Sequence, residues 1–192
     1  RKFESTVLSK KYSNLYNEYN KNKINCYIYK NLPKLTAVKK ETINVYSILK
    51  FFFYDWLKSY TCRKNLVSIS QKYDYIHFNH INLFLLAKWL RKKNTKSIFP
   101  MHIRTNPYFN ITSRIQAKIA NKFVDRFIFI TRNELTTFKK LVDKNNVRGS
   151  VIHNIVERKK SALNTFNYLK KKNFYNIGLM SNYSYVRGTD RF

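Results

Sequence analysis

The sequence is poor in glycine, proline, cysteine and acidic residues. Its 192 residues include only 3 Gly, 3 Pro, 2 Cys and 10 Asp or Glu. The few carboxylates are scattered, so no pair of them stands out for general acid–base catalysis. Cys26 and Cys62 are isolated and lack the spacing of a zinc site, which predicts inert thiols in a reducing compartment.

Patterns that mark several common classes of protein are also missing. The sequence contains no GxGxxG, P-loop, HExxH or GxSxG motif. No apolar run approaches the roughly 18 residues that a membrane-spanning helix needs, and no signal peptide is visible. We therefore expect a cytoplasmic protein. Because the chain begins at Arg1 and stops in mid-pattern at Phe192, we also expect it to be a piece of a longer one.

What the sequence has in excess is positive charge. Its 38 Lys and Arg give a formal net charge of +28, which predicts an anionic partner such as nucleic acid, an acidic membrane surface or a phosphorylated ligand. A/T-rich coding DNA would give a similar bias to any protein, so a charge without function stays open. The hydrophobic content of 44% and aromatic content of 17% are typical of globular proteins.

The stretch from Tyr73 to Arg104 predicts a strand, a helix and a second strand. Tyr73–Phe78 and Ser97–Ile103 are strand-like, and the amphipathic run between them ends near Asn94. A unit of about 30 residues is typical of a βαβ crossover with parallel strands. Ligands of such sheets bind beyond the carboxyl ends of the strands, and three histidines lie near those ends: His77, His80 and His102.

Strand-like and helical stretches alternate along most of the chain. The other predicted strands are 3–9, 24–29, 125–130, 151–155 and 174–180, and the predicted helices are 10–20, 42–58, 61–72, 111–124 and 132–142. This alternation predicts an α/β protein with a doubly wound sheet. Thr131 and Glu134 have the spacing of a helix-capping box, and Gly149 suggests a turn with a positive φ.

Five short motifs follow one another in the second half of the chain. They are YDYIHFNH (73–80), SIFPMH (97–102), DRFIFITRNE (125–134), VIHNIVE (151–157) and NIGLMSNYSYVRGTDRF (176–192). Their order and rough spacing resemble glycosyltransferase family 4, whose members have the GT-B fold of two Rossmann-like domains. The resemblance implies a mostly parallel, Rossmann-like acceptor-side domain at 1–156, a linker at 157–173 and the start of the donor-binding domain at 174–192.

The resemblance also implies an activity and the residues that carry it. Such an enzyme transfers a sugar from a nucleotide-diphosphate sugar to a hydroxyl of a lipid or polysaccharide acceptor, retaining the anomeric configuration without a metal or cofactor. His102 matches the catalytic histidine beside the reacting sugar. Arg187 stands where the family has a lysine that neutralises the donor diphosphate, and Gly188 lets that loop approach closely. Asn154 matches the domain junction. The piece is expected to be inactive alone.

The basic and aromatic residues before the central unit predict a further partner. Lys34, Lys39 and Lys40 lie in the loop 31–40, close in sequence to the aromatic helix 47–60. Such a combination could contact an anionic membrane peripherally, at the inner face of the cell membrane.

Two alternatives to a glycosyltransferase stay open. A basic nucleic-acid-binding protein would concentrate Lys and Arg on one surface, whereas here they occur in nearly every predicted element and no nucleic-acid motif accompanies them. This disfavours a nucleic-acid partner. The second alternative is another Rossmann-like enzyme, such as a sugar-nucleotide epimerase or a phosphotransferase.

Overall fold

The computed structural model describes residues 4–13, 15–35, 45–104, 109–142 and 147–154. The chain divides into two compact units, Arg1–His153 and Asn154–Phe192, and Asn154 is the one described residue of the second. The linker predicted at 157–173 and the strand predicted at 174–180 lie outside the described residues. The assignment of domains therefore stays a prediction.

Helices and strands alternate through the described part of the chain. In order they are β1 (Thr6–Ser9), α1 (Leu15–Lys21), β2 (Asn25–Ile28), α2 (Val45–Lys50), a π-helical segment (Phe51–Asp55), α3 (Trp56–Lys58), α4 (Tyr60–Ser70), a 3-10 turn (Ile81–Leu83), α5 (Phe84–Arg91), β3 (Pro100–Ile103), α6 (Ile111–Phe123), β4 (Arg126–Phe129), α7 (Arg132–Val142) and β5 (Gly149–Val151). β1 pairs with β2, and β3, β4 and β5 form a second sheet in that order; all these pairs are parallel. The prediction of an α/β protein with parallel strands is confirmed.

The parallel unit predicted between Tyr73 and Arg104 is present, with one difference. Bridges join Tyr75 to Ile98 and Phe78 to Met101 in parallel, and the backbone N–H of His102 donates to the carbonyl of Phe78 over 2.8 Å. Residues 75–78 therefore lie beside β3, on the side opposite to β4. They form isolated bridges rather than the continuous strand that the sequence predicts.

One face of the second sheet packs on α7 and forms much of the core. Successive strand residues point to opposite faces, so Met101, Phe127 and Phe129 are buried together. The ring of Phe138 on α7 lies 4.7 Å from that of Phe127 and 5.6 Å from that of Phe129, between centroids. Burying one such side chain contributes roughly 1.5–3 kcal/mol. The alternation leaves the intervening His102 only partly buried, on the other face of β3.

The buried side chain of Asn94 connects three elements. Its Nδ2 donates to the carbonyl of Ser70, at the end of α4, over 2.9 Å and to Oγ of Ser97 over 2.8 Å. Its Oδ1 accepts from the backbone N–H groups of Lys96 and Ser97. The amide thus ties the turn after α5 to the end of α4 and fixes the entry into the chain that leads to β3, while the backbone N–H of Asn94 donates to the carbonyl of Leu90 near the end of α5 over 2.7 Å.

A buried arginine anchors the helical segment from α2 to α4. The guanidinium of Arg63 packs against the indole rings of both Trp56 and Trp89, 3.9 and 4.5 Å from their centroids. It also donates to Oγ of Ser59 over 3.1 Å and to the carbonyl of Trp56 over 3.0 Å. These contacts hold the inner side of the segment against α5.

Two predictions about the end of the second sheet are wrong. The strand predicted at 151–155 lies earlier in the chain, at Gly149–Val151. Residues Ile152 to Asn154 follow it in an exposed, irregular segment. Gly149 does not have the positive φ expected of a turn. It is a strand residue opposite Phe127, and a Cβ there would lie 2.6 Å from Cε2 of Phe129 and 3.0 Å from the carbonyl oxygen of Phe127. Close approach of two strands, rather than a turn, requires the glycine.

Neither cysteine takes part in a disulfide, and Cys62 is buried. Burial raises the pKa of the Cys62 thiol, against a smaller lowering by Arg63, which agrees with an unreactive thiol. Within the described ranges, every helix is too short or too polar to cross a lipid bilayer.

Candidate active site at the carboxyl edge of the sheet

Three of the predicted elements bring ionisable side chains to the carboxyl edge of the second sheet. His77 comes from the segment beside β3, His102 from β3, and Glu134 from the first turn of α7, which follows β4. The imidazoles of His77 and His102 lie 5.9 Å apart between centroids, with their planes inclined by 34°. Arg104 follows β3, and its Nη1 donates to Oδ1 of Asn79 over 3.3 Å. This edge is where the sequence predicts a site.

Glu134 has a structural role that the sequence predicts. Oγ1 of Thr131 accepts from the backbone N–H of Glu134 over 3.3 Å, and Oε2 of Glu134 accepts from the backbone N–H of Thr131 over 3.1 Å. The same oxygen accepts from the N–H of Ile130 over 2.8 Å. The capping box is confirmed, and the bonds hold the buried carboxylate at the end of β4.

The surroundings of His102 favour its neutral form. Burial lowers the pKa of the imidazole and Arg104 lowers it further, while Glu134 raises it in part. The ordinary pKa is 6.5, so His102 is neutral at pH 7. Its Nε2 is buried and has no hydrogen-bond partner within the described part of the chain. A neutral imidazole carries one donor and one acceptor nitrogen, and a ligand can complete the hydrogen bonding of Nε2 once the groups that cover this atom move aside.

Sequence reasoning missed the influence of Glu134 on His102. The spacing of the capping box placed Glu134 on the first turn of α7, but it did not show which strand lies beside it. That proximity depends on the register of β3 and β4, in which His102 lies opposite Ile128. A signal was nonetheless available, because residues that follow neighbouring parallel strands meet at one edge.

His77 and His80 differ in their surroundings. Burial lowers the pKa of His77, followed by the charges of His102 and Arg104. Burial also lowers the pKa of His80, followed by Lys34 and Arg104. Nδ1 of His80 accepts from the backbone N–H of Asn82 over 3.1 Å and so caps the 3-10 turn. His80 is therefore a capping residue of a loop, and His77 is the histidine that borders His102.

The remaining predicted site residues are not brought together by the described structure. Asn154 is exposed, three residues beyond the end of β5, and its role at a domain junction stays a prediction. Arg187 and Gly188 lie outside the described residues, so their role in binding the donor diphosphate also stays a prediction. Over the described ranges, the structure contains no group of three or more His, Cys, Asp or Glu side chains arranged to hold a metal ion.

A cavity of about 410 Å³ lies at the opposite, amino edge of the sheet and contains none of the predicted site residues. Its lining is Arg91, Asn121, Lys122, Phe123, Val124, Asp125, Phe127 and Arg148. Arg91 is fully engaged there, since its guanidinium pairs with Asp125 and donates to the carbonyls of Ser97 and Phe123. These bonds give Arg91 and Asp125 a structural role, whereas Nε2 of His102 has no hydrogen-bond partner among the residues that the structure describes.

Comparison with known proteins identifies no relative of the chain. No protein-family model, curated protein or solved structure matches the chain. The likeness to glycosyltransferase family 4 therefore rests on the five motifs alone. The geometry adds a neutral, partly buried histidine at the edge where parallel sheets bind their ligands.

Proposed function

We propose that the chain forms the acceptor side of a GT-B glycosyltransferase. The enzyme transfers a sugar with retention from a nucleotide-diphosphate sugar to a hydroxyl of a lipid-linked or polysaccharide acceptor. The observation that carries the proposal is the position of His102. It lies one residue before the end of the parallel strand β3, its surroundings lower its pKa, and its buried Nε2 has no partner among the described residues.

The topology supports a Rossmann-like, doubly wound arrangement for this domain. Residues 75–78, β3, β4 and β5 lie side by side in that order and run in parallel. α5, α6 and α7 connect them in turn, as in successive βαβ units. In such sheets the ligand lies beyond the carboxyl ends of the strands, which is where His102 lies.

The chemistry proposed for this edge is hydrogen bonding and charge stabilisation. The bond from the anomeric carbon to the diphosphate breaks, a bond to the acceptor oxygen forms, and the hydroxyl proton passes to the departing diphosphate. His102 hydrogen-bonds the sugar beside the reacting carbon. Arg104 offsets negative charge that develops on the leaving group. The resemblance to glycosyltransferase family 4 implies that Arg187 and Gly188 bind the donor diphosphate. A cytoplasmic location is part of this proposal.

A panel of nucleotide-diphosphate sugars tests this function in the protein at its natural length. Each donor is incubated with the protein and a membrane extract as the source of acceptor, and release of nucleoside diphosphate is followed. We expect one donor to release its nucleoside diphosphate, and only when the extract is present. Conversion of a donor into its epimer without release of diphosphate would instead show a sugar-nucleotide epimerase. If folded protein leaves every donor unchanged and binds none in ligand-observed NMR, the proposal is wrong.

A further inference from the structure

The helical segment from α2 to the start of α4 is apolar on two sides. Its inner side includes the buried residues Phe51 and Cys62. Its outer side carries large apolar residues at spacings of three and four, all of which face away from the core. We call these residues the outer stripe: Tyr46, Leu49, Phe53, Leu57 and Tyr60.

The outer stripe is well exposed. The fractional exposure of its side chains ranges from 49% at Leu49 to 73% at Phe53, and the neighbouring Phe52 and Tyr54 are 44% and 54% exposed. A helix that is apolar all round is normally buried on all sides. Contiguous exposed apolar surface of this kind marks an interaction site.

Basic residues border the outer stripe. Lys50, Lys58 and Lys64 are exposed on the same segment, and Asp55 is the one acidic residue between positions 45 and 72. Nζ of Lys58 donates to the hydroxyl of Tyr54 over 3.2 Å. The ammonium group of Lys58 therefore lies beside an exposed aromatic ring, 5.2 Å from its centroid, and lysine side chains that border apolar surface in this way are favoured at membrane interfaces.

This combination distinguishes between the classes of partner. A second copy of the chain would bring another protein of charge +28 against the same lysines, and like charges repel. A single-stranded nucleic acid would stack on the aromatic rings but would leave the aliphatic Leu49 and Leu57 without a function. An anionic bilayer accommodates all three features, since it takes apolar side chains between the headgroups, tyrosines at the polar boundary and lysines at the phosphates.

We propose that the outer stripe is a docking surface for an anionic phospholipid bilayer. The stripe inserts among the headgroups, and Lys50, Lys58 and Lys64 bind lipid phosphates. The segment lies parallel to the membrane plane, because it is apolar along its length. The outer stripe shares no residue with the edge that carries His102, and the proposal stands whether or not the protein transfers sugars.

Vesicle flotation tests the proposal. The protein is mixed with vesicles of phosphatidylcholine alone or with phosphatidylglycerol added. We expect binding only to the anionic vesicles. The double variant Phe53→Ser, Leu57→Ser should bind them at least about tenfold more weakly, because two interfacial side chains lose their apolar contacts. The variant Lys58→Glu, Lys64→Glu should lose most of the preference for anionic lipid.

A matched control removes equally exposed apolar groups elsewhere in the same unit. Tyr12 and Leu15 are 63% and 57% exposed, and the variant Tyr12→Ser, Leu15→Ser should bind within about twofold of the wild type. All variants are compared at equal folded fraction, measured by thermal unfolding. Failure of the wild type to bind anionic vesicles overturns the proposal. Unchanged binding by the outer-stripe variant also overturns it. A third contrary result is that the wild type binds single-stranded RNA in a salt-sensitive way, loses this binding in the outer-stripe variant, and does not bind vesicles.

Discussion

The imidazole rings of His77 and His102 lie 5.9 Å apart on neighbouring parallel segments. The bridge between Phe78 and Met101 sets this distance, because it fixes the register of the two segments where they end. The charge of His102 lowers the pKa of His77, after the larger effect of burial. The pair is therefore favoured with both imidazoles neutral, and protonation of one imidazole disfavours protonation of the other.

Acidification should destabilise the fold through its histidines. The pKa values of His77, His80 and His102 are all lowered in the folded chain, so the unfolded chain binds these protons more tightly. The contribution of the three histidines to the free energy of unfolding is therefore fully present above pH 6.5, the ordinary pKa of histidine. It is lost as the pH falls through the lowered pKa values of the folded chain. Urea unfolding between pH 8 and 5 should show this fall, and the variant His77→Asn, His102→Asn should show a shallower one. An equal slope in both proteins would contradict the account.

Removing the carboxylate of Glu134 should affect both stability and His102. Glu134→Ala leaves the N–H groups of Ile130 and Thr131 without their acceptor, which should reduce the free energy of unfolding by about 1–3 kcal/mol. Because Glu134 raises the pKa of His102, its loss should lower that pKa further in an NMR titration. The control is Glu18→Gln, which removes an exposed pair with Lys21 and should change neither quantity measurably. A rise in the pKa of His102 would refute the proximity.

The amide of Asn94 should be a major contributor to stability. Asn94→Ala would leave the N–H groups of Lys96 and Ser97 without their side-chain acceptor and would remove one of the donors to the carbonyl of Ser70. The free energy of unfolding should fall by about 2–3 kcal/mol in denaturant titration. Asn65→Ala changes an exposed residue of α4 and should stay within about 0.5 kcal/mol. Similar values for the two variants would show that the network is weak.

Gly149 should tolerate no side chain. Gly149→Ala places a methyl group against Phe129 and the carbonyl of Phe127, and relieving that overlap should reduce the free energy of unfolding by about 1–3 kcal/mol. Ser150→Ala at the next, exposed position of β5 serves as the control. If Gly149→Ala is as stable as the wild type, β5 can move away from β4 and the close approach is not required.

Sequence reasoning was most successful where the determinants are local. The parallel βαβ unit and the capping box of Thr131 and Glu134 depend on hydrophobic period and on spacing within a few residues, both of which are visible in the chain. The role of Gly149 depends on Phe127 and Phe129 of the neighbouring strand. The influence of Glu134 on His102 depends on the register of β3 and β4. Neither is written into any local pattern, because each arises only when separate strands pair.

The most direct test of the account is the rate of sugar transfer by His102 variants of the protein at its natural length. His102→Asn keeps a polar side chain of similar size but removes the imidazole, and His80→Asn makes the same change at the histidine that only caps a turn. With the donor that the panel identifies, we predict a rate at least about 100-fold lower for His102→Asn and within a few-fold of wild type for His80→Asn. A wild-type rate in folded His102→Asn would show that His102 has no catalytic role.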